Sequence, residues 1–271
     1  MNKTAIETYE LTRRYGDLAA VDSLSLTVAE GEIFGFLGHN GAGKTTTISV
    51  LTTLLLPTAG RAMVCGYDIV KQNREVRQQI GYVPENVRLY NDLTVAENLG
   101  FLARLSGVTN VEAHIDEVLE LIEHPEWKTL RVGTFSKGMR QRIGIAQALL
   151  HQPTVLFLDE PASGLDPEGT RAIGDLILQL NHELGITIFM NTHQLAEVAK
   201  LCTSIGIMNH GHLILTDTLA NVMSRFPAAR SLEEVYLQVE RTQMRNHGQA
   251  FNGAAHMAGV PIEAGEKVVQ Q

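Results

Sequence analysis

The 271-residue chain has little of what marks several functional classes. It holds two cysteines, Cys65 and Cys202, far apart and outside any C-x-x-C spacing, which excludes a disulfide framework or a cysteine metal knuckle. Two small buried thiols in a reducing compartment are expected instead. Basic residues are outnumbered, giving a formal net charge of −8 and a pI near 5.7. A surface that wraps nucleic acid needs a basic face, so no nucleic-acid partner is expected. No run reaches the roughly 20 apolar residues that a spanning helix needs. The longest, Ile143 to Leu158, is interrupted by Gln147, His151, Gln152 and Pro153. Met1 to Glu7 has no apolar core, so a secretory leader is not expected and the chain reads as cytoplasmic. Internal repeats and low-complexity blocks are missing too.

What is present is an α/β pattern. Ala5–Leu11 and Ser23–Val28 alternate with a period of two, predicting half-buried antiparallel strands. Glu32–Leu37 reads as a buried strand, and Lys44–Leu56 as a helix stopped by Pro57. Residues 86 to about 150 are mostly helical in pattern, with one helix starting at Leu93–Leu99 and another over Val111–Ile122. Two buried strands, Val155–Leu158 and Ile186–Met190, flank a helical pattern over Thr170–Leu184, which is a βαβ signature. A terminal hairpin is expected at Ile205–Leu215, turning at Asn209-His210-Gly211. Beyond about Gln243 the chain turns polar and Gly/Ala-rich, predicting a flexible tail over 243–271.

The densest chemical signal is Gly38-His39-Asn40-Gly41-Ala42-Gly43-Lys44-Thr45, which satisfies G-x-x-x-x-G-K-[ST] at each specified position. Glycines let the backbone curl until several N–H groups point at one phosphate, and the helix N-terminus adds positive potential. Lys44 supplies a cation for the β- and γ-phosphates, and the Thr45 hydroxyl suits Mg²⁺. By composition the bare pattern arises in about 1% of chains this long, but strand and helix on either side are the context it requires. Val155–Leu158 ends in two acids, Asp159 and Glu160. A solvated strand end explains them blandly. A division of labour explains them better, with Asp159 toward Mg²⁺ and Glu160 toward the attacking water. The Asn-Lys-x-Asp string of guanine-specific switches is missing.

Further motifs carry a family resemblance. Phe135-Ser136-Lys137-Gly138-Met139-Arg140-Gln141-Arg142 resembles the signature of ABC ATPases. Ser163-Gly164-Leu165-Asp166 resembles their D-loop, Asn191-Thr192-His193 their switch histidine, and Gly81-Tyr82-Val83-Pro84-Glu85 their Q-loop. Tyr15, in Arg14-Tyr15-Gly16, is similar to the aromatic that stacks on adenine, although tyrosine beside glycine is also common turn packing. These motifs keep the family order across residues 4–240.

The resemblance implies a RecA-like P-loop core with an antiparallel β subdomain and a helical subdomain inserted at about 86–150. It implies ATP and Mg²⁺ bound by Tyr15, Gly38, His39, Asn40, Gly41, Ala42, Gly43, Lys44, Thr45 and Thr46, with Thr45 and Asp159 on the metal. It further implies hydrolysis by Glu160 as base with His193 on the γ-phosphate, and a head-to-tail homodimer. There Ser136, Lys137, Gly138 and Met139 contact ATP in trans, next to the D-loop Asp166. The family pattern is departed from in three places, one of them the signature, which reads Ser-Lys-Gly-Met where Ser-Gly-Gly-Gln is usual, so that Met139 stands for glutamine. Glu85 stands for glutamine and can still meet Mg²⁺ or a water. Lys137 replaces glycine, to place a cation near ATP or to face solvent. His39 replaces a frequent proline, with no chemical effect expected. The pair His210 and His212 flanks a hairpin glycine, a poor setting for a metal.

The strings Phe-Ser-Lys-Gly-Met-Arg-Gln-Arg and Val-Pro-Glu-Asn resemble ABC-2 type exporter ATPases, including daunorubicin-resistance-like, sodium-export-like and copper-processing-like members. That implies a separate membrane permease of about six helices. A coupling groove in the region Gln78–Leu105 and a place on the cytoplasmic face of the membrane are then expected. A soluble ABC ATPase acting on nucleic acid or ribosomes is the alternative.

Overall fold

The computed structural model describes residues 3–242; the tail expected at 243–271 lies outside them. The alternating N-terminal segments form β1 (Thr4–Tyr15) and β2 (Leu18–Ala29), paired antiparallel from Thr4↔Ala29 to Tyr15↔Leu18. The other edge of β1 pairs with β4 (Ala59–Val64), which carries β5 (Tyr67–Asp68), so this four-stranded sheet runs β2-β1-β4-β5.

The second sheet has six strands in the order β10-β9-β3-β8-β7-β6. These are β3 (Ile33–Leu37), β6 (Ile80–Val83), β7 (Val155–Asp159), β8 (Thr187–Asn191), β9 (Ser204–Asn209) and β10 (His212–Thr218). All pair in parallel except β9 with β10, the expected hairpin. Both faces of this sheet are covered, which is why β3, β7 and β8 read as continuous apolar runs. The period of two persists inside them. Leu156 and Leu158 of β7 join the cluster built with the helices, whereas Val155 and Phe157 join the cluster shared with the antiparallel sheet. In that second cluster Phe189 stacks on Phe34 at 5.2 Å and tilts against Phe157 at 5.5 Å.

The helices are α1 (Lys44–Leu51), α2 (Asn73–Gln79), α3 (Val95–Leu105), α4 (Val111–Leu121), α5 (Lys137–Leu149), α6 (Pro167–Leu184), α7 (Leu195–Leu201) and α8 (Leu219–Arg225). Two expectations need correction. The first helix ends at Leu51 rather than Leu56: Thr53 adopts φ 64°, and the amides of Leu54 and Leu55 turn back onto the Ser49 carbonyl. Leu54 and Leu56 are thereby left exposed. The hairpin is not terminal either. It is followed by α8, capped by Thr218, and by a helix over residues 232–242 that buries Leu232, Val235 and Val239.

A capping box starts α3. Thr94 accepts from the Glu97 amide at 3.2 Å, while the Glu97 carboxylate accepts from the Thr94 amide at 2.7 Å. Thr94→Ala is expected to cost about 1 kcal/mol, read as a lower urea midpoint at unchanged slope.

Candidate active site

Parallel register brings the functional segments to one sheet edge. Phe36 of β3 pairs with Asn191 of β8, and Asn191 in turn with Asp159 of β7. The loop 38–43, Glu160 and His193 therefore all leave the sheet at its carboxyl end, where parallel α/β sheets place their ligands.

The loop leaves β3 and enters α1 at Lys44. Gly43 sits at φ 109°, and a Cβ there would lie 2.0 Å from the Ala20 carbonyl oxygen, so only glycine fits. The β9–β10 hairpin braces the loop from outside. The Gly211 amide donates to the Ala42 carbonyl at 2.9 Å, and the Asp22 amide donates to the Gly211 carbonyl at 2.8 Å. His39 is part of this brace: its ring bridges the Asn40 carbonyl at 2.8 Å and the Asn209 side chain at 2.9 Å. His210 packs 5.0 Å from that ring, and His212 lies 3.9 Å from Asp22.

Lys44 is buried, and its Nζ donates to the Gly38 carbonyl at 2.6 Å and the His39 carbonyl at 3.1 Å. Burial pushes its pKa down, opposed by the nearby Glu160 and Asp159 carboxylates. The ammonium thus sits on weak neutral acceptors in a partly dry site, poised for an anion. Next to it on α1, Thr45 is exposed and donates to Asp159 at 3.4 Å, with Thr46 half-buried behind it. Asp159 is buried and also accepts a short hydrogen bond from Asn191. Desolvation raises its pKa despite those bonds, and the charges of Glu160 and Glu85 add to the shift. A buried carboxylate beside an exposed hydroxyl, with acids crowding it, is a donor set that a hard divalent cation fits.

Glu160 follows at φ 50°, a left-handed conformation that costs energy outside glycine. Its amide donates to the Asn191 carbonyl at 2.8 Å, and its carboxylate meets His193 Nδ1 at 2.8 Å. The carboxylate is largely shielded while the imidazole is exposed. Tyr15 ends β1, half exposed, with the Arg13 guanidinium 4.8 Å above its ring.

The other expected site residues stand apart from the loop. Ser136 caps α5, accepting from the Met139 amide at 3.2 Å. Ser136, Lys137, Gly138 and Met139 line a cavity of about 450 Å³ together with Leu165 and Asp166, to which no residue of 38–45 contributes. Asp166 caps α6 through the Gly169 amide at 2.8 Å. Lys137 is exposed, with its ammonium over Gly164, 3.1 Å from where a Cβ would stand. Glu85, two residues past β6, accepts from the Ser163 hydroxyl at 3.0 Å. Sequence reasoning missed the roles of Asn191, Ser163 and Asn209, each in a quoted string but with a partner distant in sequence.

The family model for ABC transporter matches residues 21–163. The chain is 44% identical over 211 residues to the bacitracin transport ATP-binding protein BcrA of Bacillus licheniformis, covering 78% of this chain and 69% of that one. It is 39% identical over 222 residues to the linearmycin resistance ATP-binding protein LnrL of Bacillus subtilis (strain 168), covering 81% and 71%. A solved ATP-binding subunit of an ABC transporter superposes with a TM-score of 0.77 at 30% identity, covering 88% of this chain and all of the other. The chain belongs to the ABC transporter family, as an ATP-binding, ATP-hydrolysing subunit.

Cys65 is half-buried and Cys202 buried; both are free, their thiols pushed up by burial to about 11 and about 12. Neither is a nucleophile at neutral pH.

Proposed function

We propose that this chain powers an ABC-2 type exporter, hydrolysing ATP as a homodimer beneath a separate membrane permease. Residues 4–240 would be one ATPase domain, with 86–150 as its helical subdomain. One observation carries the dimer reading: the exposed N-terminus of α5, with Ser136 and Gly138, opens into a cavity that the same chain's phosphate loop does not reach. A helix N-terminus with free amides is an anion site, so it waits for a nucleotide from elsewhere.

In this reading ATP sits with its base on Tyr15 and its phosphates against the amides of 38–46. Lys44 exchanges two carbonyl partners for phosphate oxygens, a stronger charge-assisted contact. Thr45 and Asp159 are the residues that would hold Mg²⁺, which when bound neutralises phosphate charge. Glu160 takes the proton of the attacking water, and His193, fixed by its 2.8 Å bond to Glu160, holds the γ-phosphate side of that water. Ser136 and Gly138 of the second subunit close the site, with Lys137, Met139 and the D-loop Asp166 at the seam. Loss of the γ-phosphate then releases the pair.

The exporter reading draws on Glu85 and the Ser136–Met139 string, and on relatives named for antibiotic transport and resistance. No helix of the described residues is long and apolar enough to cross a membrane, so a permease supplies the path. Its docking surface is the apolar patch before and along α3. Tyr90 and Phe101 meet edge to face at 5.8 Å, and Leu105 is 70% exposed beside a cavity of about 630 Å³ that also borders Arg74 and Arg77. Single exposed apolar residues are ordinary, but a contiguous patch marks a partner. Placement on the cytoplasmic membrane face follows from that docking.

Phe101→Asp combined with Leu105→Asp is expected to abolish co-purification with the product of an adjacent gene encoding about six hydrophobic spans. ATP turnover of the isolated chain should stay within about twofold, since neither side chain touches the nucleotide. Retained co-purification, or no such gene beside this one, would count against the exporter reading.

A further inference from the structure

We infer that Glu85 acts through Ser163 as a positioning residue for the hydrolytic base Glu160. The parallel pairing of Val83 with Leu158 brings the segment after β6 alongside the segment after β7. There the Glu85 carboxylate accepts from the Ser163 hydroxyl at 3.0 Å, and the Ser163 amide donates to the Glu160 carbonyl at 3.1 Å. Ser163 thus joins the two acids, one bond from its side chain and one from its backbone. The turn it closes starts at Glu160, which sits at φ 50°, a conformation that persists only where its surroundings enforce it. On the other side the Glu160 amide is held by Asn191, so the residue is pinned from both directions with its carboxylate on His193. Lys137 borders the same cavity of about 260 Å³ as Glu85 and lies over Gly164, bringing a cation to this turn.

A carboxylate at 85 accepts a charge-assisted bond, and glutamine there keeps an acceptor oxygen of lower strength. Because the tie is made within one chain and involves no residue of the phosphate loop, it sets the geometry of the base rather than the affinity for ATP. Glu85 also lies on the segment that leads from β6 through Tyr90 to α3 and the proposed permease surface, so a displacement there would be felt at Glu160.

The inference rests on the hydrolytic reading. Turnover by the wild-type chain tests that reading, and a double-mutant cycle on the full chain tests this one. Ser163→Ala and Glu85→Ala are each expected to lower kcat about tenfold with KM for ATP within about twofold, and the double variant to fall no further. Ser163→Thr, which keeps the hydroxyl, and Glu85→Gln, which keeps an acceptor, should each retain at least about half of the wild-type kcat. The inference is overturned if the double variant loses the product of the two single effects, about a hundredfold. A Ser163→Ala chain turning over at the wild-type rate overturns it as well. So does Glu85→Gln falling as far as Glu85→Ala, because charge rather than the bond to Ser163 would then matter.

Discussion

Lys44→Ala is expected to remove ATP binding while leaving the fold intact. The ammonium is buried, its pKa is lowered by that burial, and its partners are two backbone carbonyls. A cation whose charged form is disfavoured by folding subtracts from stability at every pH below its ordinary, unfolded value, and therefore at neutral pH. Truncating it should leave the melting temperature within about 3 °C, an effect below 1 kcal/mol for a chain this size. The nucleotide complex should suffer far more. Removing one partner of a desolvated charge pair costs about 2–5 kcal/mol, or roughly 30-fold to several-thousand-fold in Kd. Thermal shift with titrated ATP checks both halves, since a ligand raises Tm by binding only the native state. Wild type should climb with ATP and Lys44→Ala should stay flat. A Lys44→Ala chain that climbs equally would remove Lys44 from the phosphate site.

Glu160→Gln is expected to do the opposite, keeping ATP while losing turnover. Glutamine retains the side-chain length and an acceptor for His193 Nδ1, now held at 2.8 Å, and leaves the backbone bonds to Asn191 and Ser163 untouched. What it cannot do is accept the proton of the attacking water. A positioned general base contributes about 10²–10⁴-fold, so kcat should fall by at least about a hundredfold. Phosphate release under saturating ATP measures it, beside the same thermal shift. Wild-type turnover would assign the base elsewhere, and a lost thermal shift would make the residue a binding group instead.

Much of this site was legible because its chemistry is local in sequence. Gly38 to Thr45 and the apolar run ending in Asp159 and Glu160 announce themselves within eight residues each, and burial on both sheet faces makes their strands conspicuous. The expected α/β architecture, with an antiparallel sheet beside a mainly parallel one, follows from the change between alternating and continuous apolar runs. Other parts depend on contacts that sequence pattern does not encode. The strand Ala59–Val64 has three exposed residues followed by Ala62 and Val64, too short an alternation to stand out. The leucines 54–56 extended an apparent helix that the φ of Thr53 ends. Leu232, Val235 and Val239 do carry a helical spacing, but it is short and runs straight into the polar stretch that follows. The partners Glu85–Ser163, 78 residues apart, and His39–Asn209, 170 apart, become visible only when the sheet edge is assembled. In both pairs one member is a residue that departs from the family pattern.

In the proposed mechanism, turnover requires each phosphate loop to be completed by the α5 N-terminus of a second copy. The molar mass of the full-length Glu160→Gln chain, measured by light scattering with and without Mg·ATP, tests it most directly. The mass should sit near 29.7 kDa without nucleotide and double with it. Adding Ser136→Arg, which fills the anion site at that helix end, should hold the chain at the single mass with ATP still bound. A chain that binds ATP yet never doubles, or that doubles regardless of Ser136→Arg, would contradict the shared site.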